Sequence, residues 1–534
     1  MRYGIRLGRV TSMWAVAAVA MSMLVACGPD GDGGRAGTGD PLLVRTSSGE
    51  VRGHADGEAR RFAGIPYAAA PTGERRWAAP QPAAPWPGVR DAVRPGPPCP
   101  QGDGTGKPLA GTSEDCLNLE VTAPRSEGAK PVMVWLHGGG NDTGHGSEYD
   151  PARMAAIGDV IVVTVDYRLG ALGFLGYPGL PGSGSFGLLD QQAALRWVRD
   201  NAAAFGGDPD NVTVFGQSAG AVDACAQLTS PGARGLFHKV ILQSGSCHTL
   251  IPSAGAGGRI LTSADTFWAP LDARERQGES LAAELHCADL ACLRRIPPED
   301  LVRATSRAGI AVGTPTLPVA PDRADAAPVP VLSGTTRDES RLTTMYAEFT
   351  TGPLTRERYE QVLTQAFGTA ADEVRSRYPL RDYDDQPRLA FSAIDTDRVF
   401  ACPQLATGRR LAAGSAVYAY EFADRTAPTM SPFLTDMPAG AAHGSELAYL
   451  FGARSGGPWG PGFAPQPLSA EQRDLSDAMI RAWTGFARTG RPAETWPAFT
   501  PDRPRAHTFA LGAADSTDVA TAHHCDLWDG LARR

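Results

Sequence analysis

Short apolar runs, each closed by glycine or small polar residues, recur along this chain. Residues 132–136, 212–215 and 329–332 consist mostly of aliphatic and aromatic side chains. Such short continuous runs are typical of strands that are buried in a sheet. Sequence compatible with a helix follows the second run directly. The pattern predicts an α/β fold in which helices pack against a buried sheet.

The clearest chemical motif lies where one of these strands meets a helix. Residues 216–220 read Gly-Gln-Ser-Ala-Gly, which is the G-x-S-x-G pattern of a nucleophile elbow. Glycines on both sides let the backbone pass close to itself in a sharp strand-to-helix turn. The turn holds the Ser218 hydroxyl clear of the sheet, and the helix N-terminus behind it offers N–H dipoles to a developing oxyanion. Ser218 is therefore the candidate nucleophile.

The partners of such a serine follow it in the order acid, then histidine. Asp338 and Glu339 come shortly after the predicted strand 329–332, where α/β sheets place functional groups. Position alone does not choose between these two acids. His443 is flanked by small residues on a predicted loop, from which a histidine can reach across to a serine, so it is the candidate base.

Another histidine, His137, follows the predicted strand 132–136 and precedes three glycines, residues 138–140. We interpret this histidine as a structural residue that orders its loop. The glycines are the functional part of the segment, because their N–H groups can point at an oxyanion.

Several further motifs occur in a fixed order along the chain. They occupy residues 62–68, 75–77, 85–86, 113–119, 137–140, 166–170, 187–191, 205–209 and 243–245, in addition to the elbow, acid and histidine segments. With them the chain resembles the type-B carboxylesterases, the carboxylesterase/cholinesterase family of the α/β-hydrolases. The resemblance implies a hydrolase domain over residues 42–530. It also implies a large central, mostly parallel β-sheet flanked by helices, with helical insertions that form an active-site gorge.

The resemblance assigns a role to each candidate residue. It implies Ser218 as nucleophile, Glu339 rather than Asp338 as the acid, and His443 as the base. It further implies that the oxyanion is bound by the N–H groups of Gly139, Gly140 and Ala219. The first two lie on the glycine loop, and the third follows the nucleophile. Two buried ion pairs are implied as structural features, Arg168 with Asp190 and Arg76 with Glu114.

Three positions depart from the family pattern. Gln217 stands where the family often has glutamate, which removes a negative charge beside the nucleophile. Asn141 stands where an aromatic residue often follows the glycines, so the acyl side of the pocket is expected to differ. Ser340 follows the acid in place of the usual glycine. None of the three removes a catalytic group.

These assignments predict a serine hydrolase that acts on small to medium, uncharged esters through an acyl-enzyme. They require no cofactor, and the sequence contains no H-E-x-x-H, C-x-x-C or Walker motif that would indicate a metal or nucleotide site. A thioester, lactam, lipid or polyester remains an alternative substrate, and a non-catalytic cholinesterase-like binding protein is the alternative class. The segment 99–116 has no aromatic residue that could hold a quaternary ammonium group by cation–π contact, which argues against a cholinesterase.

The charge distribution limits the classes of partner that the protein is expected to bind. The formal net charge is −8, and the positive side chains are scattered, which argues against nucleic acid as a partner. A small-molecule ester remains the expected partner, and the oligomeric state stays open.

The N-terminus is predicted to be a targeting sequence rather than part of the folded domain. Residues 1–26 combine a basic start with an apolar run over 13–25 that is too short to span a membrane, as in a signal peptide. The run ends in Leu-Val-Ala-Cys, which resembles a bacterial lipobox, so Cys27 is expected to carry lipid. A Gly/Asp-rich tether over 27–41 would follow. The expected location is extracytoplasmic, at the bacterial cell membrane; ordinary cleavage and secretion is the alternative.

Cysteine usage agrees with an oxidising compartment. Setting Cys27 aside leaves eight of the nine cysteines, an even number that spacing alone cannot pair. The resemblance implies a bond between Cys99 and Cys116 and another between Cys287 and Cys292. A bond between Cys402 and Cys525 would hold the C-terminal tail. Cys225 and Cys247 are left either as a fourth pair or as buried free thiols.

Overall fold

The computed structural model describes residues 40–103, 107–251, 266–304, 309–428, 436–452, 466–512 and 515–533. Residues Leu42–Arg534 form one compact unit, and of a second unit, Met1–Pro41, only residues 40 and 41 are described. The predictions for the signal peptide, Cys27 and nearly all of the tether therefore concern residues outside the described ranges.

The strands of the described residues fall into one large sheet and two small ones. In chain order they are β1 Leu43–Arg45, β2 Glu50–Arg52, β3 His54–Asp56, β4 Ala59–Pro66, β5 Val89–Asp91, β6 Asn118–Pro124, β7 Lys130–Leu136, β8 Ile161–Val165, β9 Gly207–Gln217, β10 Lys239–Gln243, β11 Trp268–Pro270, β12 Ile310–Val312, β13 Val331–Thr336, β14 Val417–Phe422, β15 Arg505–Phe509 and β16 Asp515–Asp518.

The large sheet has eleven strands in the order β16-β15-β14-β13-β10-β9-β7-β8-β6-β4-β3. The central block from β8 to β15 is parallel throughout. The strands at both edges pair in the antiparallel sense. The prediction of a large, mostly parallel sheet is confirmed.

Helices lie between the parallel strands along the chain, as the long connections of a parallel sheet require. They are α1 Ala152–Gly158, α2 Gly170–Phe174, α3 Phe186–Asn201, α4 Ala219–Thr229, α5 Leu271–Glu284, α6 Leu290–Leu293, α7 Pro298–Ala304, α8 Arg341–Thr351, α9 Arg356–Phe367, α10 Ala371–Arg377, α11 Pro387–Thr396, α12 Cys402–Leu411, α13 Leu447–Phe451, α14 Ala470–Thr489, α15 Val519–Ala522 and α16 Cys525–Ala532. A π-helical turn, Asp397–Ala401, separates α11 from α12.

Both faces of the sheet are covered, and strand β7 shows how. Val132, Val134 and Leu136 belong to the core on the side of α3 and α4. Met133 and Trp135 belong to the core on the side of α1, α13 and α14. Because successive side chains of a strand point to opposite faces, a strand buried on both sides is apolar at every position, which explains the continuous runs in the sequence.

The boundaries of the predicted strands change in the structure. The predicted strand 329–332 begins only at Val331, because Pro330 has no N–H for the ladder, and it continues to Thr336 through small side chains. Strand β9 begins at Gly207, five residues before the predicted run. The polar extension of β13 is buried, whereas that of β9 is largely part-exposed, and neither extension shows the apolar periodicity of a strand.

Four disulfides join the eight described cysteines. They are Cys99–Cys116, Cys225–Cys247, Cys287–Cys292 and Cys402–Cys525. The bonds are compatible with an extracytoplasmic location. In the described part of the chain, no helix combines the length and the apolar character that crossing a membrane requires.

Candidate active site

The candidate residues lie at one edge of the central sheet, just beyond the carboxyl ends of its parallel strands. Ser218 follows β9, Glu339 lies three residues after β13, and the glycine loop follows β7. His443 lies between β14 and α13. Functional groups of open parallel sheets gather at this edge, and here four separate segments of the chain meet.

Ser218 has a strained backbone conformation, with φ 57° and ψ −126°. The neighbouring glycines allow the tight turn: a Cβ on Gly216 would lie 2.4 Å from the Gly220 carbonyl oxygen, and one on Gly220 would lie 2.0 Å from the Leu136 oxygen. The Ser218 N–H donates to the carbonyl of Gln243 at 2.9 Å. Strain held in place by surrounding structure is typical of functional positions, and the predicted elbow is present.

Glu339 is fully buried and contacts His443 directly. Its Oε2 lies 2.5 Å from His443 Nδ1, and its Oε1 accepts the N–H of Thr336 at 2.8 Å. The His443 N–H also donates to the Glu339 carbonyl at 3.2 Å. A carboxylate can only accept here, so the imidazole proton is on Nδ1 and the lone pair is on Nε2.

The lone pair of His443 meets the residue before the serine. The Gln217 amide nitrogen lies 3.1 Å from His443 Nε2 and donates to it. The Phe400 ring packs against the imidazole with a centroid distance of 5.1 Å. Burial on its own lowers the pKa of His443, but the charge and hydrogen bond of Glu339, helped by the charge of Glu446, raise that pKa above its ordinary value.

Asp338 occupies a different environment from Glu339. Its carboxylate accepts hydrogen bonds from the Arg425 guanidinium at 3.0 Å and from the N–H of Ala441 at 3.1 Å. It also forms an ion pair with Arg341 at 3.1 Å. Asp338 therefore fixes the loop that leads to His443, whereas Glu339 contacts the imidazole. The two neighbouring acids, which position alone could not separate, point to different parts of the same loop.

Glu446 is a further acid at the site that the sequence analysis did not single out. It is fully buried three residues after His443, and it accepts from the Gln243 amide at 3.3 Å. Burial, together with the nearby charge of Glu339, raises the pKa of Glu446 to about 7. An acid at the start of an apolar helical run is the signal that could have drawn attention to it.

The glycine loop adopts left-handed backbone conformations at three successive residues. The φ angles are 112° at Gly139, 68° at Gly140 and 62° at Asn141. Asparagine is one of the few residues other than glycine that adopt the left-handed region of backbone conformation without a large penalty. The loop also approaches the elbow closely, since a Cβ on Gly138 would lie 2.8 Å from the Gln217 amide oxygen.

His137 orders this loop, as interpreted from the sequence. Its ring stacks on Tyr167 at 4.4 Å, and its Nδ1 hydrogen-bonds the Gly138 carbonyl at 2.9 Å. Burial lowers the pKa of His137 to about 3, so the ring is neutral at physiological pH. A neutral, stacked imidazole beneath the loop fits a structural role.

Asn141 does not extend into open space. It is fully buried, and its amide donates to Asp223 Oδ1 at 3.0 Å. The Asn141 side chain is therefore turned into the protein, where it binds Asp223, and is not exposed at the site. Burial raises the pKa of Asp223 to about 7, partly offset by the hydrogen bonds from Asn141 and Gln191.

A cavity of about 390 Å³ opens beside the glycine loop, within the size range of small-molecule sites. It is bounded by the loop, by the Cys99–Cys116 segment and by three helices. Its lining residues are Pro100, Gln101, Gly102, Asp142, Thr143, Leu169, Gly170, Ala171, Leu172, Leu301, Val302, Arg303 and Tyr346.

Two structural ion pairs expected from the resemblance are confirmed. Arg168 pairs with Asp190 at 2.7 Å, and Arg76 pairs with Glu114 at 2.5 Å. Among the described residues, no three His, Cys, Asp or Glu side chains converge as metal ligands would.

Known proteins are similar to this chain over nearly its whole length. The family model for the carboxylesterase family matches residues 40–528. A para-nitrobenzyl esterase of Bacillus subtilis (strain 168) is 36% identical over 86% of this chain and 92% of its own length. A pyrethroid hydrolase of Rattus norvegicus is 33% identical over 86% and 85%, respectively.

Solved structures agree with the sequence comparisons. A PNB esterase structure superposes with a TM-score of 0.73 at 31% identity and covers 91% of this chain and 99% of the other. A thermophilic PNB esterase gives the same TM-score and identity and is covered completely. This chain belongs to the carboxylesterase family and is an ester-hydrolysing α/β-hydrolase.

Proposed function

We propose that this enzyme hydrolyses small to medium, uncharged carboxylic esters with Ser218 as nucleophile, His443 as base and Glu339 as the acid of a triad. The observation that carries the proposal is the 2.5 Å contact between His443 Nδ1 and Glu339 Oε2 beside the strained turn at Ser218. This contact sets the imidazole tautomer that a general base needs.

In the first step His443 Nε2 takes the Ser218 proton while the serine oxygen attacks the ester carbonyl. Glu339 keeps the imidazole oriented and stabilises the imidazolium that forms. The Gln217 amide donates to the same Nε2 in the resting enzyme. Proton transfer therefore requires that this hydrogen bond give way to the Ser218 hydroxyl.

The negative charge of the tetrahedral intermediate needs donors on the carbonyl oxygen. In the proposed mechanism these are the N–H groups of Gly139, Gly140 and Ala219. The imidazolium of His443 then protonates the leaving alcohol, and the same residue activates the water that hydrolyses the acyl-enzyme. This chemistry requires neither a metal nor an organic cofactor.

The proposed nucleophile is tested by Ser218→Ala. We expect loss of p-nitrophenyl ester hydrolysis with an unchanged melting temperature, and loss of labelling by a fluorophosphonate probe. Ser280→Ala removes a hydroxyl from the exposed surface of α5 and is the matched control. Retained activity in purified S218A, or probe labelling at another residue, would show that the assignment is wrong.

The proposed substrate class is supported by the similarity to esterases and by the small-molecule size of the cavity beside the glycine loop, although Ser218 and His443 are not among the lining residues of that cavity. It is tested by comparing kcat/KM over p-nitrophenyl esters from acetate to palmitate, with an acyl thioester, a lactam and a polyester film alongside. We expect the highest values for short and medium acyl esters. A preference for palmitate or for the thioester would reassign the substrate to one of the alternatives.

We further infer that residues 1–26 are removed as a signal peptide and that Cys27 carries the lipid anchor of a bacterial lipoprotein, with 27–41 as tether and 42–530 as the hydrolase domain. The lipobox-like sequence before Cys27 supports this, and several acyl chains hold a protein stably where one does not.

The anchor is tested by fractionating cells that express the wild type or Cys27→Ser. The wild type is expected in the membrane fraction with a lipid-modified N-terminus, and the variant is expected to lose that modification. Wild-type protein found wholly in the medium with an unmodified N-terminus would leave a plain secreted esterase.

A further inference from the structure

The buried face of helix α4 lies behind the glycine loop. The helix begins at Ala219, directly after Ser218, and Asp223 is four residues further along. Residues at this spacing lie one above the other on the same helix face. Asp223 is fully buried, so its carboxylate sits one turn below the residue that offers an oxyanion donor from the helix.

Two amide groups from different segments donate to this carboxylate. Asn141 Nδ2 donates to Asp223 Oδ1 at 3.0 Å, and Gln191 Nε2 donates to Oδ2 at 2.6 Å. All three side chains are fully buried. Hydrogen bonds to a charged, buried acceptor are stronger than those between neutral groups, and loss of either partner leaves a buried polar group unsatisfied.

Asn141 belongs to the glycine loop and immediately follows Gly140. Its carbonyl accepts the N–H of Gly170 at 2.7 Å, so its backbone is fixed together with its side chain. The far end of the loop is held separately, because the Gly144 N–H donates to Gln101 at 2.7 Å. The Asn141–Asp223 contact is therefore a direct side-chain link from the loop to helix α4.

The acceptor end of this link is itself immobilised. Gln191, on α3, accepts from the Gln227 amide at 2.9 Å, and Gln227 also donates to the Leu188 carbonyl at 3.0 Å. A buried network of this kind fixes the position of each member more strongly than isolated pairs do. Helices α3 and α4 thus hold Asp223 in place for the loop.

We propose that Asn141 and Asp223 are positioning residues that keep the two halves of the oxyanion hole in register. Two of the proposed donors, Gly139 and Gly140, are on the loop, and the third, Ala219, is on the helix. All three must reach one oxygen at about 2.7–3.1 Å to stabilise it fully. The link joins the residue after Gly140 to the helix turn below Ala219.

This inference rests on the proposed function, and it is tested by a double-mutant cycle of Asn141→Gly, Asp223→Ala and the double variant. Glycine suits the left-handed backbone at position 141, so N141G removes the amide without adding strain. On p-nitrophenyl acetate we expect each single variant to lose about 10–100-fold in kcat, less than the about 10²–10³-fold that loss of a whole donor costs. KM should change by less than about threefold, since ground-state binding does not use the oxyanion donors.

Two further readouts separate positioning from general damage. The inhibition constant of a trifluoromethyl ketone, whose serine adduct carries the oxyanion, should rise in parallel with the fall in kcat/KM. The double variant should be no slower than the slower single variant, because both substitutions break the same link.

The exchanged pair Asn141→Asp with Asp223→Asn provides a rescue. The amide introduced at position 223 can donate to the carboxylate at position 141 and accept from Gln191, so this variant should recover most of the lost kcat. Thr229→Val, which removes a buried hydroxyl from the far end of α4, is the matched control and should keep wild-type kcat. Fluorophosphonate titration gives the concentration of competent Ser218 in each preparation.

The proposal is overturned if folded N141G keeps kcat within about threefold of the wild type, if the two losses multiply, or if the ketone binds all variants equally. Should D223A fail to fold, N141G and the exchanged pair decide the question. Failure of the proposed function would appear differently, as a wild-type enzyme that neither hydrolyses the ester nor is labelled at Ser218.

Discussion

His443 and His523 are both largely buried next to carboxylates, and they differ in what faces the second ring nitrogen. His443 contacts Glu339 through Nδ1 and a neutral amide, that of Gln217, through Nε2. His523 contacts carboxylates through both nitrogens, Asp397 at 2.5 Å and Glu421 at 2.8 Å. The first imidazole keeps a lone pair that can take up and return a proton, and the second is locked in its charged form.

The pKa directions agree with this difference. Burial lowers the pKa of both rings, and the carboxylates more than offset it. The pKa of His443 is raised, and that of His523 rises to about 10 because Asp397 and Glu421 both favour the protonated ring. His523 lies two residues before Cys525, which is bonded to Cys402. Its charge therefore serves to hold the C-terminal segment, whereas a functional base must remain neutral at working pH.

The comparison of the two histidines predicts the largest difference in kcat between the alanine variants at these two positions. His443→Ala should reduce kcat by about 10⁶-fold, because a serine without its base loses nearly all of its nucleophilic advantage. The His523→Ala variant should keep wild-type kcat per folded molecule. Steady-state kinetics on p-nitrophenyl acetate, normalised to the folded fraction by circular dichroism, checks both. A comparable loss of kcat in H523A would mean that the C-terminal ion pair contributes to catalysis.

A second contrast separates the neighbouring acids at the end of β13. Glu339→Gln should reduce kcat by about 10⁴-fold, since an amide holds the imidazole but does not face its positive charge. Asp338→Asn should cost less than about tenfold, because Asp338 acts on the loop through Arg425 and Ala441 rather than on the ring. Equal losses, or a larger loss at position 338, would show that the acid is wrongly assigned.

The sequence predicts this site better than it predicts the C-terminal ion pair, and the reason is physical. The elbow has a local signal, since a Cβ on Gly216 would meet the Gly220 carbonyl within the same turn, although a Cβ on Gly220 would meet Leu136 of the neighbouring strand. His523 and Asp397 are 126 residues apart, and Asn141 and Asp223 are 82 apart. No local pattern encodes such pairs, because only the packed sheet and helices bring their members together.

The spacing of residues along the sequence does not decide whether Asp338 or Glu339 contacts the histidine. Both follow the same strand, and only the observed turn directs one carboxylate to the ring and the other to Arg425. The resemblance to the family implied the residue that the structure places on His443. The disulfide pairs implied by the same resemblance are those that the structure joins, and Cys225 and Cys247, whose pairing the sequence leaves open, are joined as well.

Stability should respond to the second histidine more than activity does. His523→Ala leaves Asp397 and Glu421 buried without the charge between them, and breaking a buried ion pair in this way costs about 3–5 kcal/mol in the free energy of unfolding. Chemical denaturation at pH 7 measures the change. A loss below about 1 kcal/mol would be typical of an exposed pair and would contradict a buried, charged His523.

The same group predicts how wild-type stability depends on pH. The pKa of His523 is about 10 in the folded protein and near 6.5 in an unfolded chain. Its contribution is therefore complete below about pH 6.5 and is lost as the pH rises towards 10. In an NMR titration of histidine-labelled protein, the His523 resonance, assigned by its absence in H523A, should remain that of a protonated ring at pH 8. A neutral ring at that pH would contradict the double ion pair.

The smallest predicted effect comes from a substitution that places a carboxylate at both ring nitrogens of His443, as at His523. Gln217→Glu replaces the amide at His443 Nε2 with a carboxylate, adding to the charges of Glu339 and Glu446 that already raise the pKa of His443. A nearby opposite charge moves a pKa by about one pH unit or more. Because the reaction needs the neutral imidazole, a higher pKa moves the acidic limb of the kcat/KM profile to higher pH. The rate at neutral pH therefore falls, while the plateau at alkaline pH changes little.

The matched control for this variant is Gln217→Met, which has nearly the same shape but neither charge nor donor. It should leave the acidic limb near its wild-type position or slightly above it, because losing the amide donor removes a hydrogen bond that stabilises the neutral imidazole of His443. A limb that stays in place in Gln217→Glu would mean that residue 217 does not contact His443 during turnover. A shift of the limb in Gln217→Glu alone would show that the neutral amide at this position keeps the base available at lower pH than a family-type glutamate would.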